Sequence, residues 1–328
     1  MSKAADLART ASASETALGN RNLLINGANT IWQRGASLGS GVNRYVQDRW
    51  YQWGYGAIPT QQTGINGIGY STRLQHNDAT ANSFSSWNQS LETSDTVYAR
   101  GNKTTFSVYI KKGSAFTGTL NLQIVERTDA EGSVNTGTRN VLHSENIAGS
   151  LSTSFQKFTI TSNNNVNASA MSIGVNIDHG GTSGTDSNNY FEFTQAQLEV
   201  GTVATPFEHR SYGQELALCQ RYYQRIGDIA RVSYGLANAH SATTVYCPIR
   251  FMTTMRVAPS QTTSATNGNF YVTGSGQQQT TGTVTIGTEG LNPNGVTVSV
   301  PVSTLTIGQS FWFNTVNANG WIAWEAEL

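Results

Sequence analysis

Short runs of alternating apolar residues, separated by turns rich in Gly and Asn, are the feature that most constrains the fold of this chain. In KTTFSVYIKK every second residue from Phe106 to Ile110 is apolar, and the segments at 119–126 and 171–177 repeat the pattern. A period of two places such side chains on one face of a β-strand. Several strands of this kind, spaced by turns, predict a two-sheet β-sandwich or jelly roll.

The composition agrees with an all-β fold and narrows the choice of partners. Only 12% of the residues are charged, and the chain contains 33 Gly. Twenty basic residues balance twenty acidic ones, so a nucleic-acid-binding surface is not expected. A chain with no net charge tends to associate, which favours an obligate oligomer.

The N-terminal residues and the cysteines indicate where the protein is made. The first 20 residues lack the apolar core of a secretory signal, and no later stretch has the apolar length of a membrane span. Cys219 and Cys247 form neither a CxxC pair nor a disulfide framework. We therefore expect synthesis and assembly in a reducing cytosol, without insertion into a membrane.

A chain of 328 residues is longer than a usual single domain. We expect an N-terminal arm or short helix at 1–21, a jelly-roll domain at 22–210, a short linking helix at 211–227 and a second β domain at 228–328. The arm has few large apolar residues, so it is expected either to attach to a partner or to fray. Apolar spacings of three and four residues from Leu216 to Ile226 predict the linking helix.

The most informative functional pattern is an aromatic strand. In DRWYQWGYG, alternation puts Tyr51, Trp53 and Tyr55 on one face. Sugars stack on aromatic rings, and nearby amides can bind their hydroxyl groups, so this face is a candidate glycan platform. The core of the sandwich is the commoner fate of such rings and is favoured here. Trp87, in the more polar FSSWNQS, is the better candidate for an exposed ring.

The final segment, FWFNTVNANGWIAWEAEL, places three tryptophans around the turn-forming residues 317–320. It predicts a β-hairpin. Alternation puts rings on both faces of this hairpin, which predicts that a second sheet or a neighbouring subunit covers each face.

Catalysis and metal binding have weaker support in the sequence. Glycoside hydrolysis needs two carboxyl groups about 5 to 9.5 Å apart, and the candidates all lie in polar, turn-prone segments: Glu126, Asp129, Glu131, Asp178 and Asp186. Solvated carboxylates are the usual explanation, so no residue is assigned a catalytic role. The five histidines lack the spacing of a zinc site. Asp178 and Asp186 are weak candidates for calcium ligands, although an acidic surface loop is favoured.

Two pairs of motifs carry a family resemblance. RNLLINGANTIWQRGAS at 21–37 and DRW at 48–50 resemble the opening of a jelly-roll module of tailed-bacteriophage fiber and appendage proteins. AQLEVGTVATPFEHR at 196–210 and ELALCQRYYQ at 215–224 resemble its close. Within these motifs, Leu23 and Ile25 are expected in the core, and Gln197 and Glu199 on an exposed face.

The resemblance implies a jelly roll like those of carbohydrate-binding modules, sometimes holding a structural calcium ion but no other cofactor, and a threefold assembly. We therefore expect a virion subunit, a tail fiber or appendage protein, that forms a homotrimer. The arm would contact other virion proteins, and the jelly roll would contribute to attachment to a host-surface glycan. A purely structural connector or decoration protein is the alternative, and a polysaccharide depolymerase is the least favoured.

Overall fold

The computed structural model describes residues 21–36, 43–54, 57–76, 78–133, 136–184, 186–264, 268–274, 277–287 and 290–328. Tyr55 and all but the last residue of the predicted arm at 1–21 lie outside this range. The chain divides into two compact units between Ser211 and Tyr212. Neither helix that the structure describes has the length and apolar character needed to cross a membrane.

Almost all of the regular structure in the first unit is β. Its described strands are β1 Arg44–Tyr45, β2 Tyr51–Gly54, β3 Ala57–Thr63, β4 Tyr70–His76, β5 Asp78–Ser90, β6 Thr104–Lys112, β7 Thr119–Arg127, β8 Arg139–Asn146, β9 Gln156–Thr161, β10 Ser172–Gly184 and β11 Tyr190–Val200. A four-residue helix, α1, spans Thr93–Thr96, and 3-10 turns span Ile65–Gly67 and Ala148–Ser150.

These strands form two antiparallel sheets. The six-stranded sheet has the order β1-β2-β5-β10-β7-β8, and the five-stranded sheet has the order β3-β4-β11-β6-β9. The apolar faces predicted from Phe106 to Ile110 and from Leu120 to Ile124 are buried in one shared core cluster. The prediction of an all-β sandwich of the jelly-roll class is confirmed, because period-two segments bury one face against a second sheet.

The opening motif is an irregular segment that buried amides hold in place. The side chain of Asn22 accepts from the backbone N–H groups of Leu24 and Leu198, at 3.0 and 3.1 Å. Asn26 donates to the carbonyl oxygens of Ile31 and Asp48, at 2.8 and 3.1 Å. These amides replace the ladder hydrogen bonds that an irregular buried backbone lacks. Because the segment is not a strand, the residue fully buried in the core is Leu24, whereas Leu23 is only half-buried.

The closing motif covers a face that was expected to be exposed. Gln197 accepts from the Glu208 N–H at 2.8 Å, and Glu199 accepts from the Thr205 N–H at 3.0 Å. The chain therefore folds back over β11 after Val200, and both side chains are buried. The prediction that Gln197 and Glu199 are exposed is wrong, because alternation cannot show which segment returns across a strand.

The second unit begins with a helix, α2 Tyr212–Gln220. Its described strands are β12 Tyr223–Gly227, β13 Ser233–Ser241, β14 Thr244–Arg250, β15 Ser260–Thr263, β16 Phe270–Thr273, β17 Gln277–Gln279, β18 Thr285–Ile286, β19 Gly295–Pro301, β20 Ser310–Thr315 and β21 Trp321–Glu325. They form a three-stranded sheet, β12-β21-β15, and a seven-stranded sheet, β17-β16-β20-β13-β14-β19-β18.

Two local predictions for this unit are wrong. The linking helix ends at Gln220 rather than Ile226, because residues 223–227 pair with β21. The predicted C-terminal hairpin does not form, since β20 belongs to the seven-stranded sheet and β21 to the three-stranded sheet. Phe313 and Trp324 meet in the core of the unit instead, as members of one buried cluster.

Candidate functional site

The outer face of the six-stranded sheet gathers polar groups, one of them a carboxyl, and two aromatic rings. Trp87 and Gln89 of β5 point into the first unit, so Ser86 and Asn88 lie on the opposite face of the strand, where their exposed fractions are only 2% and 1%. On the neighbouring strand β10, Asn176 is 0% exposed. Strand register extends this face across the sheet. We call it the polar face and define it by Tyr51, Trp53, Ser86, Asn88, Gln123, Asn176 and Asp178.

The polar face consists of two parallel rows of side chains. One row runs across five strands through Tyr51, Asn88, Asn176, Gln123 and Ser144. The other runs through Trp53, Ser86, Asp178, Asn121 and Asn146. Cross-strand neighbours lie about 5 Å apart, and the rows about 7 Å apart. Each row thus has an aromatic ring at one end followed by amide and hydroxyl groups, and the second row also contains the Asp178 carboxylate. The rings and the residues of β7 and β8 are partly or fully exposed, whereas those of β5 and β10 are buried.

Hydrogen bonds orient the amides of the first row. Asn88 donates to the carbonyl oxygen of Tyr51 at 3.2 Å. Asn176 donates to Gln123 Oε1 at 3.2 Å, and Gln123 donates to Ser144 Oγ at 3.2 Å. Arg139 donates to the same Gln123 oxygen. The amides are therefore preorganised and do not need to be ordered when a ligand binds.

Asp178 is the unusual group of the second row. Its side chain is only 7% exposed, and Oδ1 has no hydrogen-bond partner among the described residues. Burial raises the pKa of the Asp178 carboxyl, while the nearby Ser86 hydroxyl and the charge of Arg139 act in the opposite direction. A desolvated carboxylate oxygen without a donor is costly, so an outside donor at this position would be bound favourably.

The aromatic residues that the sequence suggested for glycan binding lie in different parts of the first unit. Tyr51 and Trp53 lie on the polar face, half-buried, so the preference for a core position is wrong for these two rings. Trp87 is only 1% exposed and lies in the core, which overturns its choice as an exposed ring. FSSWNQS is polar because Ser86 and Asn88, on either side of Trp87, lie on the face of β5 opposite the core, although they too are buried. The missed residues are Asn88, Gln123 and Asn176, which the polar alternates of three apolar strands would have indicated.

The other carboxylates have local structural roles. Glu126 accepts from Asn140 Nδ2 and the Asn167 N–H, both at 2.8 Å. Asp129 pairs with Arg127, which lowers the pKa of that carboxyl. Glu131 accepts from the Thr93 N–H at 2.7 Å.

The two calcium candidates differ in their surroundings. Asp186 accepts from the Asn188 N–H at 2.7 Å within its own turn, whereas Asp178 belongs to the polar face. In the described part of the chain, no group of three or more His, Cys, Asp or Glu side chains could hold a metal ion. A structural calcium ion stays a prediction.

A buried histidine pair closes one end of the same sandwich. The His76 and His179 rings lie 3.9 Å apart, centre to centre, and Phe116 packs against His179. His179 Nε2 donates to the carbonyl oxygen of Thr117 at 3.2 Å, so its Nδ1 accepts from His76 Nε2. Burial lowers the pKa of His179 to about 4. Both rings are buried in the interior and are not part of the polar face.

Comparison with known proteins gives only remote similarities. No family model matches the sequence, and neither does any curated protein. A solved domain of tailspike protein 4 from bacteriophage CBA120 is 12% identical, with a TM-score of 0.37, over 55% of this chain and 21% of that chain. A family 22 carbohydrate-binding module of Clostridium thermocellum xylanase 10B is 13% identical, with a TM-score of 0.34, over 52% and 98%.

A cyclase from Fischerella sp. TAU is as similar as these two, at 12% identity and a TM-score of 0.36, over 56% of this chain and 98% of that chain. A binding module and an enzyme thus have about the same identity and TM-score to this chain. The matched region spans about a fifth of the tailspike chain. The fold assignment therefore rests on the strand order of this chain, and its function has to be inferred from its own residues.

Proposed function

We propose that the polar face binds a glycan and that the chain is an attachment subunit of a tailed-bacteriophage virion. The observation that carries the proposal is the presence on one face of the half-buried Tyr51 and Trp53 rings, preorganised amides and the unpartnered Asp178 oxygen. Gln123, Ser144 and Asn146 are partly or fully exposed, whereas Asn88 and Asn176 are buried. A sugar supplies both an apolar C–H face for the rings and hydroxyl donors for the amide and carboxylate oxygens.

The dimensions of the polar face set the length of glycan that can lie along it. Five strands spaced about 4.8 Å apart give each row a length of about 19 Å. The side chains of β5 and β10 in the middle of each row are buried, so the groups within reach of a sugar are those at the two ends. Because most of its polar groups are amides and hydroxyls, the face supplies donors and acceptors without a strong net charge. No catalytic residue is assigned, and we propose binding without hydrolysis.

The placement in a virion rests on the sequence. The paired opening and closing motifs at 21–50 and 196–224 support a phage fiber or appendage subunit. In this proposal the protein is a homotrimer, and residues 1–21 attach it to other virion proteins. The absence of net charge supports an obligate assembly.

Glycan binding is tested with purified full-length protein on an array of bacterial surface polysaccharides, with its mass measured by light scattering. Trp53→Ala should weaken binding at least tenfold, because the ring supplies stacking energy of about 1.4 kcal/mol or more. Tyr98→Ala is the matched control, because Tyr98 is an exposed ring of the same unit and is not among the residues that define the polar face. An oligomer that binds no polysaccharide would favour the structural connector instead.

A further inference from the structure

The outer face of the seven-stranded sheet in the second unit carries an exposed tryptophan that the polar face does not explain. Trp312 is 53% exposed although it lies in β20, a strand paired on both sides. Directly opposite it, Leu236 of β13 is 55% exposed, and Thr273 of β16 lies on its other side. Large exposed apolar side chains within a sheet, rather than at a loop tip, indicate contact with another molecule.

The charge of this sheet restricts what that molecule is. In the described part of the chain, its seven strands contain one charged residue, Arg250 at the end of β14. A phosphate, a carboxylate polymer or a strongly charged peptide would find no counter-charge beside Trp312. The chemistry of the face therefore suits a neutral ligand.

Amide and hydroxyl groups surround the exposed ring. In the next row, Ser310 donates to Asn238 Oδ1 at 2.9 Å. On the opposite side, Asn314 donates to Thr273 Oγ1 at 3.2 Å. These groups lie about 5 to 8 Å from the Trp312 side chain, which is the range of adjacent and diagonal neighbours in a sheet.

The backbone that carries the Trp312 ring is anchored by the residues on either side of it. Phe311 and Phe313 on either side of it are buried in the core of the unit. Farther across the face, His240 stacks on Tyr246 with ring centres 4.1 Å apart and planes 6° apart. A fixed aromatic surface with polar neighbours binds a flat ligand without a large cost in ordering.

We propose that this face, defined by Leu236, Asn238, Thr273, Ser310 and Trp312, is a second saccharide-binding site that takes a neutral sugar chain. The pyranose C–H face stacks on Trp312, and the amide and hydroxyl groups bind ring hydroxyls. A second copy of the chain is a poorer occupant. Two half-exposed apolar side chains offer on the order of 200 Å², well below the roughly 800 Å² per partner of a stable interface.

The test uses the full-length protein labelled with 5-fluorotryptophan, whose seven tryptophans give separate fluorine NMR signals. The Trp312 signal is assigned with Trp312→Phe, and the protein is titrated with xylohexaose, cellohexaose, maltohexaose and mannohexaose. At least one should shift the Trp312 signal saturably, while the signal of the buried Trp324 stays fixed. Leu236→Ala should weaken that binding three- to tenfold, and Leu291→Ala, an exposed residue outside these strands, should not.

Two outcomes would overturn the proposal. In the first, none of the four sugars moves the Trp312 signal more than the Trp324 signal. In the second, the Trp312 signal changes with protein concentration in the absence of sugar, which would make the face a contact between copies. The Trp53 signal reports separately on the polar face, so failure of one site is distinguishable from failure of the other.

Discussion

Each of the two outer faces of the first unit contains a buried carboxylate, but the two carboxylates differ in their hydrogen-bond and ion-pair partners. On the five-stranded sheet, Glu192 is 0% exposed and lies 2.7 Å from Arg73 and 3.0 Å from Lys111. On the six-stranded sheet, Asp178 is almost as buried, yet one of its oxygens has no partner in the described part of the chain. We call the first surface the ion-pair face, defined by Arg73, Lys111 and Glu192.

This difference in partners distinguishes a carboxylate that stabilises the fold from one that could bind a ligand. A buried charge with two cationic partners is satisfied by the fold itself. A buried carboxylate with an unpartnered oxygen costs stability, and a donor supplied by a ligand would reduce that cost. The carboxylate of the ion-pair face is therefore satisfied within the fold, whereas the polar face keeps a carboxylate oxygen that has no donor among the described residues. Four substitutions or conditions test this contrast, in order of decreasing effect.

The largest effect is expected on the ion-pair face. Glu192→Ala leaves Arg73 and Lys111 close together without their anion, and it should lower the free energy of unfolding by about 3 kcal/mol. Urea unfolding of the first unit measures this loss. Glu145→Ala, which removes an exposed carboxylate, should cost less than about 0.5 kcal/mol. A loss below about 1 kcal/mol for Glu192→Ala would contradict the role of the ion-pair face.

Acid should destabilise the interior between the two faces. His179 is neutral when folded, with a pKa of about 4, and has a value near 6.5 when unfolded. The unfolded chain therefore binds more protons between these values, and stability falls by about 3 kcal/mol as the pH drops from about 6.5 to 4. Urea unfolding across this range measures the slope, and His179→Phe should reduce it. An unchanged slope in that variant would exclude the histidine pair as its source.

Asp178→Asn should separate the two properties of the polar face. Removing a desolvated charge should raise the free energy of unfolding by about 1 kcal/mol. Glycan binding should nevertheless be lost, because the carboxylate acceptor is gone. Calorimetry and the polysaccharide array measure the two effects. Asp186→Asn, at an exposed turn residue, serves as the control and should change neither. A less stable Asp178→Asn variant would contradict the contrast between the faces.

The smallest effect concerns the pH dependence of glycan binding. Binding should be lost as the pH falls through the raised pKa of Asp178, because the neutral acid is a weaker acceptor. The positive charge of Arg139 lowers that pKa. Arg139→Gln should therefore move the midpoint of binding to a higher pH. A midpoint that moves to a lower pH would show that Arg139 does not act through Asp178.

Much of the sheet structure was predictable from the sequence, because alternation fixes which residues share a face. The core residues of β6, β7 and β10 follow directly from a period of two. The site was less predictable. Asn88, Gln123 and Asn176 are far apart in sequence, and only strand pairing places them in one row.

The errors have one physical origin. Alternation divides a strand into two faces without stating which face is covered, so Trp53 was expected inside and Trp87 outside. Similarly, two aromatic strands joined by a turn have the pattern of a hairpin, whether or not they pair with each other. In this protein β20 and β21 pair with other strands, because separate sheets let Phe313 and Trp324 pack in one core.

The sequence by itself determined the all-β class, the division of most strands into apolar and polar faces, and the low charge of both candidate binding surfaces. These properties depend on the local period and on residue type. Only the tertiary structure decided which polar face keeps an unpartnered carboxylate oxygen and where Trp312 is exposed. Burial and hydrogen bonding depend on which strands become neighbours, and those neighbours come from distant parts of the chain.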